Sequence, residues 1–195
     1  MSVHNDLTGY KSSKDENWSG LTKLLDNDDI DSITLILNAF CIAPIKNIGD
    51  LTSDEIGDYI DDNLKINYRL LNAVVGLCRN RGKKLTIINL DSGAAYFALK
   101  GWANYCSGKA YINALLGVIA LENPDYRIVS FDPGVMDTDM QAIIRNTDEK
   151  TFDMVDTFIG YKEEGRLNAP SAVAAKIVER YIRDWKAESV REKYS

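Results

Sequence analysis

Apolar and polar positions alternate along the chain in two distinct registers. Ile33 to Leu37 (ITLIL), Leu85 to Leu90 (LTIINL) and Arg127 to Phe131 (RIVSF) are short, rich in β-branched residues and nearly continuous in apolar character. Such runs predict strands buried on both faces, as in a parallel sheet. Between them lie longer amphipathic stretches. Residues 54–77 keep Ile56, Ile60, Leu64, Leu71 and Val75 near helical spacing, and Thr52 or Ser53 with Glu55 provides a capping box at the start. Residues 104–121 and 171–185 read as helices on the same grounds. Strand and helix in strict alternation predict parallel strands joined by right-handed crossovers, a doubly wound α/β sheet. The sequence shows no internal repeat and no low-complexity linker.

Composition narrows the function. A chain of 195 residues that is 45% hydrophobic has enough apolar material for one domain with a core, expected over residues 1–195. The net charge is −6, and no run of Lys and Arg is long enough to follow a phosphate backbone, which argues against nucleic acid as a partner. The N-terminal residues lack an apolar signal core, and no stretch approaches the about 18 apolar residues of a spanning helix. No membrane association and a cytoplasmic location are therefore expected. Cys41, Cys78 and Cys106 are odd in number and widely spaced, and the single histidine is His4. They form neither a disulfide framework nor a metal site; reduced thiols in a reducing compartment are expected.

The chemistry concentrates after the second predicted strand. Ser92 follows LTIINL directly, Tyr105 comes thirteen residues later, and Lys109 stands four residues beyond on a predicted helix. Residues at i and i+4 project from one helical face. A phenol with an ordinary pKa near 10 is a poor proton donor at neutral pH, and an adjacent ammonium favours the phenolate, so Lys109 is a candidate tuner of Tyr105. A serine hydroxyl opposite them can hydrogen-bond a carbonyl oxygen while Tyr105 donates the proton and a hydride reaches carbon. Tyr followed by Lys at i+4 also occurs at Tyr10 with Lys14 and Tyr96 with Lys100. Only Tyr105 has an upstream serine behind a strand and an apolar helix running through its lysine.

With these residues in view, the chain resembles the short-chain dehydrogenase/reductase family over nearly its whole length, and the bacterial benzil reductase and sepiapterin reductase-like subgroup most closely. INLDSGAA (88–95) resembles the family's strand and catalytic serine, GWANYCSGKA (101–110) its catalytic helix, and SFDPGVMDTDMQ (130–141) its next strand and loop. The resemblance implies a Rossmann-like fold and NAD(P)H-dependent reduction of a ketone or diketone. It casts Ser92 as carbonyl orienter, Tyr105 as general acid and Lys109 as tuner and nicotinamide-ribose anchor. Asn63, in DDNLKINYRLL, would complete a proton relay. Pro133, Gly134, Val135 and Thr138 match the family's PGxxxT segment at the nicotinamide. Asn38 and Ala39 fall on its NNAG motif, where Leu37 and Phe40 depart from the pattern and Phe40 is expected to crowd the adenosine half of the site.

Asp6 and Leu7 stand as far before Asn38 as the family's adenine-contacting aspartate and its neighbour stand before that motif. Everything earlier in the family pattern, the first two strands, the first two helices and the TGxxxGxG phosphate loop, is expected to be absent. The fold expected is thus an N-terminally truncated Rossmann-like sheet, with binding of NADP(H) or NAD(H) impaired. Its bared edge would invite a homo-oligomer or a partner chain. A misplaced start, a truncated product and a partner-completed domain all stay open, as does a non-catalytic remnant or interaction protein. Residues 139–165 correspond to the family's substrate-covering segment, with Met140, Ile143, Phe152 and Phe158 able to line it; Tyr96, Phe97 and Trp102 could face an aromatic ketone.

Overall fold

The computed structural model describes residues 20, 22–23, 26–187 and 191–193. Among the described residues four strands form one parallel sheet in the order β1-β2-β3-β4: β1 (Ser32–Leu37), β2 (Lys84–Leu90), β3 (Arg127–Asp132) and the short β4 (Arg191–Lys193). Ile36 lies opposite Ile88, Ile88 opposite Val129, and Phe131 opposite Glu192. Helices cover both faces, as expected for a Rossmann-like doubly wound sheet.

The period-two alternation of β2 and β3 divides their side chains between two cores. Leu85, Ile87 and Ile128 pack on one face with Leu71, Val74 and Cys78 of helix α2 (Ile66–Asn80) and with Ile112, Leu116 and Ile119 of helix α3 (Ala103–Glu122). Ile88, Leu90, Val129 and Phe131 face the other way. They meet Val173 and Ile177 of a later helix (Pro170–Ile177) and Tyr181 of the π-helical turn Val178–Arg183 that continues it. Tyr181 and Arg180 both bond the Glu192 carboxylate, fastening β4 to this layer.

Three details differ from the sequence expectation. First, β1 is not buried on both faces: Ile33, Leu35 and Leu37 turn to the α2–α3 core, whereas Thr34 and Ile36 are exposed. Second, the stretch 54–77 lies in three successive pieces, α1 (Ser53–Tyr59), a π-helical turn (Ile60–Lys65) and α2. Thr52 and Glu55 close the expected capping box. The wider turn shifts the helical phase, so Tyr59, Asn63 and Asn67 face inward while Ile56 and Ile60 are exposed. The inward amides are satisfied locally. Asn63 Nδ2 donates to the Tyr59 carbonyl at 3.2 Å, and Asn67 Nδ2 to that of Asn63 at 2.7 Å. Third, the helix expected over 171–185 ends in the π-helical turn at Arg183, two residues early.

Candidate active site

At the carboxyl ends of β2 and β3 the chain leaves the sheet in two loops, the position where open α/β sheets bind ligands. Ser92 comes first after β2. Its backbone is extended, and its Oγ accepts the Ala94 amide at 3.2 Å, capping the short 3₁₀ turn Gly93–Ala95. Tyr105 and Lys109 lie on α3, both buried, and with Ser92 they line one cavity of about 670 Å³. Among the sequence candidates, Asn38, Pro133, Gly134, Val135 and Thr138 line this cavity too. The fold therefore gathers residues that are 71 positions apart, Asn38 to Lys109, around one space.

The electrostatics differ in one respect from the sequence expectation. Burial pushes the Tyr105 phenol up to about 12, its side-chain contact with Ser92 pulls it down, and Asp91, Asp132 and Cys106 push it up further. Burial lowers the Lys109 amine to about 8, against the opposing pull of Asp91 and Asp132. Lys109 Nζ does not bond the phenol oxygen: it donates to the Leu90 carbonyl at 2.7 Å and sits 4.3 Å from the centre of the Phe40 ring. Phe40 also makes edge contacts with Tyr105 (5.8 Å) and Tyr59 (6.3 Å). Gly108 makes room for this cluster. A Cβ there would stand 2.8 Å from Tyr59 Oη and 2.9 Å from Phe40 Cζ.

Asn63 is buried one layer behind. Its Oδ1 accepts the Cys41 amide at 2.7 Å, tying the loop after β1 to the π-helical turn, and it makes no hydrogen bond to Tyr105 or Lys109 among the described residues. Ala39 is exposed on that loop and does not line the cavity. In the β3 loop, Gly134 has φ +68, its amide donates to Asp132 Oδ1 at 2.9 Å, and Asn168 Nδ2 holds the Pro133 carbonyl at 2.9 Å. Thr138 caps α4 (Asp139–Arg145) with its hydroxyl unused in the cap. Asp6 and Leu7 lie outside the described residues.

The cavity's far wall is apolar and aromatic. Trp102 stacks on Phe152 at 4.7 Å and meets Tyr105 edge-on at 5.5 Å. Phe97, Leu99, Met140, Met154 and Phe158 complete the wall, the last from α5 (Val155–Glu163). Of the residues expected in a covering segment, Met140 and Phe158 reach the cavity, Phe152 is fully buried behind Trp102, and Ile143 points outward. Tyr96 turns away to Asp91. Phe97, 70% exposed, stands at the cavity rim.

A group of residues that sequence reasoning missed lies beneath the site. Asp91 Oδ2 accepts from the Tyr96 hydroxyl (2.7 Å) and from Asn113 Nδ2 (2.8 Å). Asn113 Oδ1 accepts from the Ser130 hydroxyl, which in turn accepts from Asn89 Nδ2 at 2.7 Å. The available signal was a polar residue at Asn89 and Ser130 inside otherwise apolar strands, and an acid following β2 directly.

A tyrosine and a lysine on a helix that flanks the carboxyl edge of a Rossmann-like parallel sheet stand where such sheets bind their ligands. Residues 16–149 match the family described as short chain dehydrogenase, and the chain belongs to that family. It is 33% identical over 168 residues to a benzil reductase ((S)-benzoin forming) of Bacillus subtilis, covering 84% of this chain and 69% of the relative. Bovine sepiapterin reductase is 34% identical over 123 residues, 62% of this chain and 46% of that protein. Among solved structures, KRED1-Pglu superposes with a TM-score of 0.76 at 24% identity, over 88% of this chain and 72% of the other. The likeness to the benzil and sepiapterin reductases agrees with the motif resemblance, and the chain is by family an oxidoreductase.

Proposed function

We propose that the chain reduces an apolar ketone or diketone carbonyl to an alcohol, with a reduced nicotinamide dinucleotide as hydride source. The observation that carries this reading is the convergence of Ser92, Tyr105 and Lys109 on one cavity whose opposite wall is aromatic. The site residues suit such a cofactor at its nicotinamide end. The Pro133–Thr138 turn, with its positive-φ glycine, offers backbone groups to the cavity that Lys109 and Asn38 also line. We assign Asn38, Pro133, Gly134, Val135 and Thr138, which line the cavity, to cofactor binding. When bound, the reduced nicotinamide supplies a hydride.

The chain's own residues then do the rest. Ser92 orients the carbonyl oxygen through its hydroxyl. Tyr105, with a phenol raised to about 12, keeps its proton at neutral pH and gives it to the oxygen as charge develops there. The Lys109 ammonium lies beneath the phenol, 5.7 Å from the ring centre, and stabilises the negative charge left on it. The apolar wall excludes water and suits an aromatic substrate, so benzil is a suitable probe. Asn63 serves by holding the loop that carries Asn38 and Phe40.

A second reading, a non-catalytic protein that keeps these residues without turning over, is favoured by one observation. Phe40, at the position where the resembled NNAG motif has a glycine, lies with its ring 4.3 Å from the Lys109 ammonium. Calorimetric titration with NADPH and then NADH separates the two. Saturable binding of either supports the reductase; no heat from either up to millimolar cofactor supports the non-catalytic reading.

A further inference from the structure

Asp91 has a position that the proposed reaction does not explain. It is 5% exposed, follows β2 directly, and carries a carboxylate with its two oxygens in unlike surroundings. Oδ2 is clamped by Tyr96 and Asn113, whereas Oδ1 is buried with no hydrogen-bond partner among the described residues. A buried carboxylate oxygen without a donor costs stability, so its retention calls for another reason. The neighbouring charge is Lys109, equally buried, whose ammonium bonds the carbonyl of Leu90, the residue before Asp91.

We propose that Asp91 is a positioning residue for Lys109: clamped by Tyr96 and Asn113, its carboxylate is the counter-charge that keeps the buried amine an ammonium, ready to stabilise the Tyr105 phenolate. The proposal deepens the reductase reading and rests on it for its kinetic consequence. The two bonds to Oδ2 fix the carboxylate at the end of β2. Tyr96 is held on its outer face by the Arg191 guanidinium, 5.5 Å from its ring, and Asn113 is held from below by Ser130. The other ionisable groups facing the pair are Asp132 at the end of β3, Tyr105 on α3, and Lys193 of β4, which lines the same cavity. Asp132 adds to the attraction on Lys109 but is only partly buried and spends Oδ1 on the Gly134 amide, which leaves Asp91 as the desolvated partner. Burial without such a partner favours the neutral amine.

A double-mutant cycle tests the pair without any need for turnover. Urea unfolding is measured at neutral pH for the native chain, Asp91→Asn, Lys109→Met and the double variant. The proposal expects D91N to lower the folding constant at least about tenfold more when Lys109 is present than in the K109M background. It expects that difference to shrink as pH rises past the amine's titration. Equal losses in both backgrounds, or a D91N chain that fails to fold with and without Lys109, would mean that Asp91 serves only the polar network and would overturn the proposal. If D91N alone does not fold and D91N/K109M does, the proposal stands. The kinetic arm uses benzil reduction: the alkaline limb of kcat/KM moves to lower pH in D91N and stays in place in Tyr96→Phe, which breaks one clamp and keeps the charge. Identical limbs in D91N and the native chain overturn it. Coupling in the folding cycle with no turnover of any carbonyl refutes the reductase reading and leaves the pair intact.

Discussion

Phe40 is the residue through which stability and cofactor access are most directly opposed. Phe40→Leu keeps most of the apolar volume and removes the ring. The native ring makes edge-to-face contacts with Tyr59 at 6.3 Å and Tyr105 at 5.8 Å, and it lies 4.3 Å from the Lys109 ammonium. Aromatic pairs contribute about 0.5–1.5 kcal/mol each, and a desolvated cation over a ring about 2 kcal/mol. The half-buried position of Phe40 leaves one side of the ring in water, so the sum is taken at its lower end, about 3 kcal/mol or roughly a hundredfold in the folding constant. Urea unfolding of native chain and variant gives the difference directly. In a further variant, Phe40→Gly, calorimetric titration with NADH should show tighter binding than in the native chain, because the face of Lys109 is opened. A Phe40→Leu chain within about 0.5 kcal/mol of native would refute the claim that the ring is held by these three partners. Unchanged or weaker NADH binding by folded Phe40→Gly would refute its role as an obstruction.

Two further outcomes are expected. Lys109 titrates near 8 in the folded chain and near its ordinary 10.5 when unfolded, so between these values the unfolded chain binds more protons and stability rises with pH. Thermal melts from pH 7 to 10.5 should show that rise in the native chain and a flatter profile in Lys109→Met; parallel profiles would contradict the assignment. Trp102→Ala removes the stack on Phe152 and the edge contact to Tyr105, and should cost about 3–5 kcal/mol in urea unfolding; a loss below about 1 kcal/mol would show that the aromatic wall is not a packed unit.

Three of the four strands, β1 to β3, and the placing of the three central side chains around one space were legible because each depends on local pattern, whereas the short, polar β4 carries no apolar run to mark it. Apolar runs bounded by turns mark β2 and β3, and i, i+4 spacing puts Tyr105 and Lys109 on one face whatever the tertiary context. The phase of the α1–α2 stretch was not legible. The π-helical turn shifts the phase where the inward residues, Asn63 and Asn67, are polar, and backbone carbonyls four residues back satisfy their amides, which hydropathy does not register. The direction of the Tyr105 shift was misjudged for a related reason. Spacing shows that a lysine is near, but only the fold shows that its ammonium is drawn to the Leu90 carbonyl and the Phe40 ring while burial dominates the phenol. Asp91 and its clamp were hidden because Tyr96, Asn113 and Ser130 lie on separate elements that only the fold brings together.

The central claim is that Tyr105 delivers a proton to a carbonyl oxygen in this cavity. Its most direct test is benzil reduction by the native chain and by Tyr105→Phe, each shown to be folded, with NADPH or NADH in excess and benzoin quantified by chiral chromatography. The account predicts benzoin from the native chain and a kcat lower by about 10²–10⁴-fold in the variant. Equal benzoin formation by the two proteins, or none by the native chain with either cofactor, would contradict it.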